Sequence, residues 1–254
     1  MTTTIAVAGK GGTGKTTIAA LIVRHLKENN LGSVLAIDAD PSSNLNVALG
    51  LPLDGTVGDI REEMLGKVSA GAMTPGLSKQ DYLEYKLNEI MVESSGVDLM
   101  AMGRPEGAGC YCAANNMLRT LLDRLGKEYD FVVMDNEAGL EHLSRRTTRD
   151  VDVMLIVSDP TIRGMMAARR VVELIDELKT HVGRAYLIIN RLDNGLTVAL
   201  QQAVDALNIP LVGTISRDVA LAELDANGRP LTELPVASSV YKAVKDILQR
   251  TGIN

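Results

Sequence analysis

Gly9-Lys10-Gly11-Gly12-Thr13-Gly14-Lys15-Thr16-Thr17 follows an apolar run over residues 3–8 and opens a helical stretch through Ala19, Leu21 and Arg24. The order is strand, glycine-rich turn, helix, and the turn reads G-x-x-x-x-G-K-[ST]. Glycines at these positions let backbone N–H groups face inward toward phosphate oxygens, and the helix start adds the positive end of its dipole. Lys15 is expected to reach the terminal phosphates and the Thr16 hydroxyl to ligate Mg²⁺. Gly9, Gly11, Gly12, Thr13, Gly14 and Thr17 complete the cradle.

Working outward, short apolar runs at 33–37, 97–102, 130–134, 151–157, 185–189 and 211–215 alternate with helical stretches. With the first run they predict an α/β fold, the three-layer arrangement of P-loop nucleoside triphosphatases, whose mostly parallel sheet has about seven strands. Parallel strands covered on both faces should be continuously apolar, and FVVM, VMLIV and YLII are. Ligands gather at the carboxyl ends of such strands, so polar motifs that follow the runs should converge on one sheet edge. Residues 54–96 depart from the rhythm: they read as helical, charged and broken near Gly71 and Pro75, either as covering helices or as a docking surface for a client protein. Residues 1–254 are read as one domain, without internal repeat or linker.

Composition narrows the function. The chain has 254 residues, a formal net charge of -6 and 3% aromatic residues, which argues against nucleic acid as a partner. No apolar run approaches the ~20 residues needed to cross a bilayer, and no export signal opens the chain, so the expectation is a cytoplasmic protein without membrane attachment. Val240, Val244, Ile247 and Leu248 form a helical stripe near the end, read as core rather than as a basic membrane helix. His25, His142 and His181 are scattered and receive no ligand role.

Asp38-Ala39-Asp40-Pro41 ends the second run, and paired acids beside a triphosphate suit outer-shell Mg²⁺ coordination and orientation of an attacking water; an Asx-turn with a helix cap is the structural alternative. Asp135-Asn136-Glu137-Ala138-Gly139 ends the fourth, and Asn190-Arg191-Leu192-Asp193 the sixth. With Lys10 as a second lysine in the loop, these motifs resemble the deviant Walker A superfamily of MinD/ParA, arsenical-pump ATPases and the nitrogenase iron protein, over essentially the whole chain. The resemblance implies an ATPase acting as a homodimer. In it Lys10 crosses to the partner's nucleotide, Asp40 orients the water, Asp38 supports Mg²⁺, and Asp135 is the Walker B carboxylate. Asn-Glu stands where the family's second switch has Thr-Pro, which puts that switch's geometry in doubt. Asn190 and Asp193 resemble a weakened N-K-x-D, and the resemblance implies adenine contact with help from a backbone loop that Leu234, Pro235, Val236 and Ala237 could supply. ATP and ADP are the expected nucleotides; GTP stays open.

Cys110-Tyr111-Cys112 follows the third run and a loop holding Arg104 and Glu106, both read as solvated. Thiols at a helix start favour the thiolate that metals need. One C-x-C gives two sulfurs, whereas zinc and the common iron–sulfur clusters want four ligands, and a symmetric dimer supplies four. The alternatives are buried structural cysteines or a strained redox disulfide. The pattern resembles the CooC-type ATPases that assist nickel insertion into carbon monoxide dehydrogenase. That resemblance implies a metallochaperone holding Zn²⁺ or Ni²⁺ at the dimer interface for a client metalloenzyme. A positioning ATPase and an iron–sulfur electron-transfer ATPase are the competing readings.

Overall fold

The computed structural model describes residues 1–72, 76, 78–103, 120, 123–137, 150–178 and 181–253. Among them lies an eight-stranded sheet in the order β3-β4-β2-β5-β1-β6-β7-β8. The strands are β1 Thr3–Gly9, β2 Val34–Asp38, β3 Val92–Ser94, β4 Val97–Ala101, β5 Phe131–Asp135, β6 Asp150–Ser158, β7 His181–Asn190 and β8 Leu211–Ile215. All neighbours run parallel except β3 with β4. Seven strands coincide with the apolar runs. The eighth, β3, falls inside the segment expected to be helical, because a three-residue strand behind the Ser95-Gly96 turn is too short to impose an alternation.

Helices cover both faces, and β1 shows why its sequence is apolar throughout. Ile5 and Val7 enter one core with the helix α1 (Lys15–Glu28) and the C-terminal helix Ser239–Thr251, while Ala6 and Ala8 enter the opposite core with the helix Ile162–Leu178. All four are fully buried. The alternation is the two-residue period of a strand, and with both faces dry each position is apolar. Val240, Val244, Ile247 and Leu248 are buried in the first core, as the stripe predicted. Among the described residues no helix is long and apolar enough to cross a membrane.

The stretch over 54–96 forms two helices, α3 Val57–Ser69 and α4 Lys79–Ile90, around a third apolar cluster under Met100. Thr56 and Asp59 form a reciprocal capping box at the start of α3, and Ser78 caps α4. A shorter helix, α2 (Leu45–Leu49), precedes them. The α3 start is tied to the end of β4, since Gly58 N–H donates to the Met102 carbonyl at 2.9 Å.

Candidate nucleotide site

The sheet register assembles the site before any loop contributes. Val7 of β1 pairs with Asp135 of β5, and Asp38 of β2 pairs with the same Asp135. The acids at the ends of the second and fourth apolar runs are thus neighbours at the carboxyl edge, one strand spacing apart, about 4.8 Å, with Asp135 on the strand beside β1 and Asp38 one strand further out. Cross-links fix the edge further: Ala39 N–H donates to the Asp135 carbonyl at 2.9 Å, and both the backbone N–H and the side-chain amide of Asn136 donate to the Val7 carbonyl at 3.0 Å.

Gly9 leaves β1 so close to β6 that a Cβ there would sit 2.1 Å from the Val157 carbonyl oxygen. The loop then folds on itself. Thr13 is buried and its hydroxyl donates to the Lys10 carbonyl at 2.8 Å, while Lys15 Nζ lies 3.5 Å from that same oxygen. Gly14 stands at the N-cap of α1 in the left-handed region, with no side chain to satisfy the first-turn N–H groups. That leaves an unshielded helix start, the electrostatic feature an oxyanion needs.

Thr16 Oγ1 donates to Asp135 Oδ2 at 2.5 Å, and Asp135 Oδ1 is buried with no hydrogen-bond partner. Burial, reinforced by the neighbouring Asp38, pushes the Asp135 carboxyl up to about 7 against the opposing pull of the Thr16 hydroxyl. Asp38 is buried too, and its carboxyl is raised by that burial although the N–H groups of Leu45 and Asp40 donate to it at 2.8 and 3.0 Å. Asp40 accepts from Ser42 N–H at 2.8 Å, so the Asx-turn anticipated as an alternative exists beside whatever else this acid does. Hydroxyl and carboxylate oxygens with one orphaned lone-pair site form a donor set that fits a hard divalent cation such as Mg²⁺.

From the other side, β7 ends on the loop. Asn190 Nδ2 donates to the Thr13 carbonyl at 2.8 Å, and Arg191, held at a positive φ, donates through Nη1 to the Gly12 carbonyl at 2.9 Å. Asp193 is occupied by Arg217, whose backbone N–H and Nη1 donate to it at 2.9 and 2.6 Å. The backbone N–H of Arg217 and then its guanidinium hold that carboxyl below the usual range. The segment lying against 190–193 is the turn after β8: Leu192 N–H donates to the Ile215 carbonyl and Ser216 Oγ to the Leu192 carbonyl.

Leu234, Pro235 and Val236 follow the 3₁₀ turn Leu231–Glu233. Arg24, buried on α1, donates through Nη1 to the carbonyls of Leu231 and Leu234 at 3.0 and 2.5 Å, with Tyr241 stacked 4.5 Å from the guanidinium. Pro235 accepts from Ser238 N–H, and Val236 is exposed. Sequence reading named Asn136 only as a departure from the family's second switch, and did not single out Ser216 or Arg217, or Arg191 as a loop contact; the last three were legible only as polar residues following strand ends. Cys110, Cys112, Arg104, Glu106, Ala138, Gly139 and His142 lie outside the described residues. Among the described residues no group of three or more metal-ligating side chains stands together. His25 is buried against Tyr241 and Asn29, and burial lowers its pKa.

The model of the CobQ/CobB/MinD/ParA nucleotide-binding domain matches residues 4–231. The chain belongs to this family. It is 44% identical, over 97% of both chains, to an uncharacterized ATP-binding protein of Methanocaldococcus jannaschii. It is 31% identical to the carbon monoxide dehydrogenase accessory protein CooC of Rhodospirillum rubrum, over 98% of this chain and 97% of that one. Among solved structures, a ParA family ATPase from Chlorobium tepidum has a TM-score of 0.74 at 20% identity, covering 100% of this chain and 99% of its own. The Mg-ADP complex of MinD from Pyrococcus horikoshii has a TM-score of 0.67 at 22% identity, covering 97% and 94%. These two likenesses support the fold, the mostly parallel P-loop sheet with helices on both sides.

For this family member the tight seating of the loop yields a first prediction. A Cβ at Gly14 would stand 2.4 Å from Asn190 Nδ2 on a backbone with φ +93°. Gly14→Ala is expected to cost about 2–3 kcal/mol, from left-handed backbone strain and the displaced amide. It should also weaken ADP binding on the order of tenfold. Thermal melting and an ADP titration check it; unchanged values in both would show that the loop yields freely.

Proposed function

We propose that the chain is a Mg²⁺-dependent ATPase that works as a homodimer with nucleotide at the interface and serves as a metallochaperone for a client metalloenzyme of the carbon monoxide dehydrogenase kind. The observation that carries the ATPase reading is the pair Thr16 and Asp135, with its orphaned Oδ1, at the uncapped start of α1. In this reading ATP is the substrate. Gly9, Lys10, Gly11, Gly12, Thr13, Gly14, Lys15, Thr16 and Thr17 surround its phosphates, and Lys15 balances their charge. Thr16 and Asp135, with Asp38 behind them, hold Mg²⁺, which supplies charge neutralisation between the terminal phosphates. Asp40 orients the attacking water. Lys10 reaches the partner's triphosphate, and Asn190 and Asp193 face the base, with the turn over 215–218 as a more fitting neighbour than Leu234, Pro235 and Val236.

Similarity to CooC along nearly the whole chain, together with Cys110-x-Cys112, supports the cargo half of the reading. Two copies give four thiolates for Zn²⁺ or Ni²⁺, and nucleotide and metal each favour one dimer state, since a ligand shifts an equilibrium only by differential affinity. The test is metal identity and stoichiometry per protomer, with ADP, with ATP and without nucleotide, in the parent and in Cys110→Ala/Cys112→Ala. One ion per two chains, lost in the double variant, is expected. Metal content unaffected by the double substitution would end the metallochaperone reading. A broad iron–sulfur absorption in anaerobically prepared protein would move it to the electron-transfer reading, and ATP-dependent sedimentation with vesicles to a positioning ATPase.

A further inference from the structure

The far end of α1 borders a second cavity, about 310 Å³, at the lower end of the size range of ligand pockets. Lys15 and Lys27 stand ~12 residues apart on α1, roughly 18 Å along its axis, so this cavity is separate from the phosphate loop. Its apolar walls are Val23, Leu49, Leu51 and Val97, and Ser94 and Thr232 also line it. Two of the charged groups that line it neutralise each other. Arg24 Nε donates to Glu28 Oε1 at 2.7 Å, and Glu28 Oε2 accepts from the Tyr241 hydroxyl at 2.6 Å. Arg24 Nη1 donates to the carbonyls of Leu231 and Leu234. Lys27, the third charged group of the lining, is exposed and has no ion pair among the described residues.

An apolar hollow beside one uncompensated cation selects a ligand with an aliphatic body and a single anionic head. We infer that this cavity binds a short-chain aliphatic monocarboxylate, with the carboxylate at the Lys27 ammonium and the chain against Val23, Leu49, Leu51 and Val97. With Glu28 engaged twice, the lining offers no free general base, so this is a binding site and not a second catalytic centre. The full chain, saturated with Mg²⁺ and ADP, is titrated with hexanoate, hexanol and hexylammonium at constant ionic strength, with the methyl NMR signals of Val23, Leu51 and Val97 as the readout. Hexanoate should shift these signals saturably and bind about tenfold tighter than hexanol, the factor one charge-assisted hydrogen bond supplies. Hexylammonium should bind weakest. Lys27→Gln, a surface change that leaves the walls intact, should reduce hexanoate to the level of hexanol. The proposal is overturned if no saturable shift occurs, if Lys27→Gln binds hexanoate as the parent does, or if the shifts fall on the phosphate loop instead.

Discussion

Replacing Asp135 with asparagine is expected to raise the melting temperature of the nucleotide-free protein and to remove most of the extra stability conferred by Mg²⁺ with nucleotide. In the free protein this carboxyl is buried, has one oxygen without a partner, and is pushed up to about 7. The fold therefore prefers the protonated form. Stability is fully present below the unfolded value near 3.8 and is lost as pH rises through about 7. The distance between those two values corresponds to at most about 4 kcal/mol. Asparagine keeps an oxygen for the Thr16 hydroxyl and carries no charge, but its buried N–H₂ costs about 1–3 kcal/mol where no acceptor waits. The net gain is on the order of 1–2 kcal/mol above pH 7, several degrees for a chain of this size. Melting curves from pH 4.5 to 8 check it by the difference between variant and parent, since Asp193 and Asp218, whose carboxyls are lowered, tilt both profiles in the opposite sense. A variant no more stable than the parent at pH 8 would mean the carboxylate already has a counter-charge. Full stabilisation by Mg²⁺ and nucleotide in the variant would remove Asp135 from the cation site.

Lys10→Ala should lower ATP turnover on the order of 10³-fold, as loss of a cationic finger does elsewhere in phosphoryl transfer, while ADP affinity stays within a few-fold of the parent. The separation follows from which atoms of Lys10 the protomer uses. Its carbonyl accepts from the Thr13 hydroxyl and lies near Lys15 Nζ, whereas its side chain is exposed and has no partner among the described residues. Alanine preserves that carbonyl, so the loop should stay folded. Measured together, turnover at saturating ATP, ADP binding and the solution mass with ATP distinguish the cases. Near-parental turnover would mean Lys10 is a solvated charge. Lost ADP affinity would mean that it serves its own protomer's phosphates.

Much of this was legible in the chain because buried parallel strands must be apolar on both faces and glycine loops carry their geometry in their residue types. Seven strands and the convergence of Asp38, Asp135 and the loop follow from those two constraints. Three residues of β3 were too few to reveal a period. The place of Leu234 was hidden for a different reason. A backbone carbonyl has no sequence signature, and the clue lay far upstream, in an arginine on the apolar face of α1 beside Ile22 and Val23. A guanidinium in that setting demands carbonyl acceptors, and the 3₁₀ turn Leu231–Glu233 and its end provide them. Likewise Arg217, which donates to Asp193, comes from the next strand end and could not be paired with it without knowing that β7 and β8 are adjacent.

The acids owe their positions to inter-strand pairing at the middle of the sheet, and the start of α3 hangs from the same place, with Met102 N–H on the Asp38 carbonyl and Gly58 N–H on the Met102 carbonyl. Two hydrogen bonds in series thus join the first turn of that helix to the backbone of an acid, so a displacement of one pulls on the other.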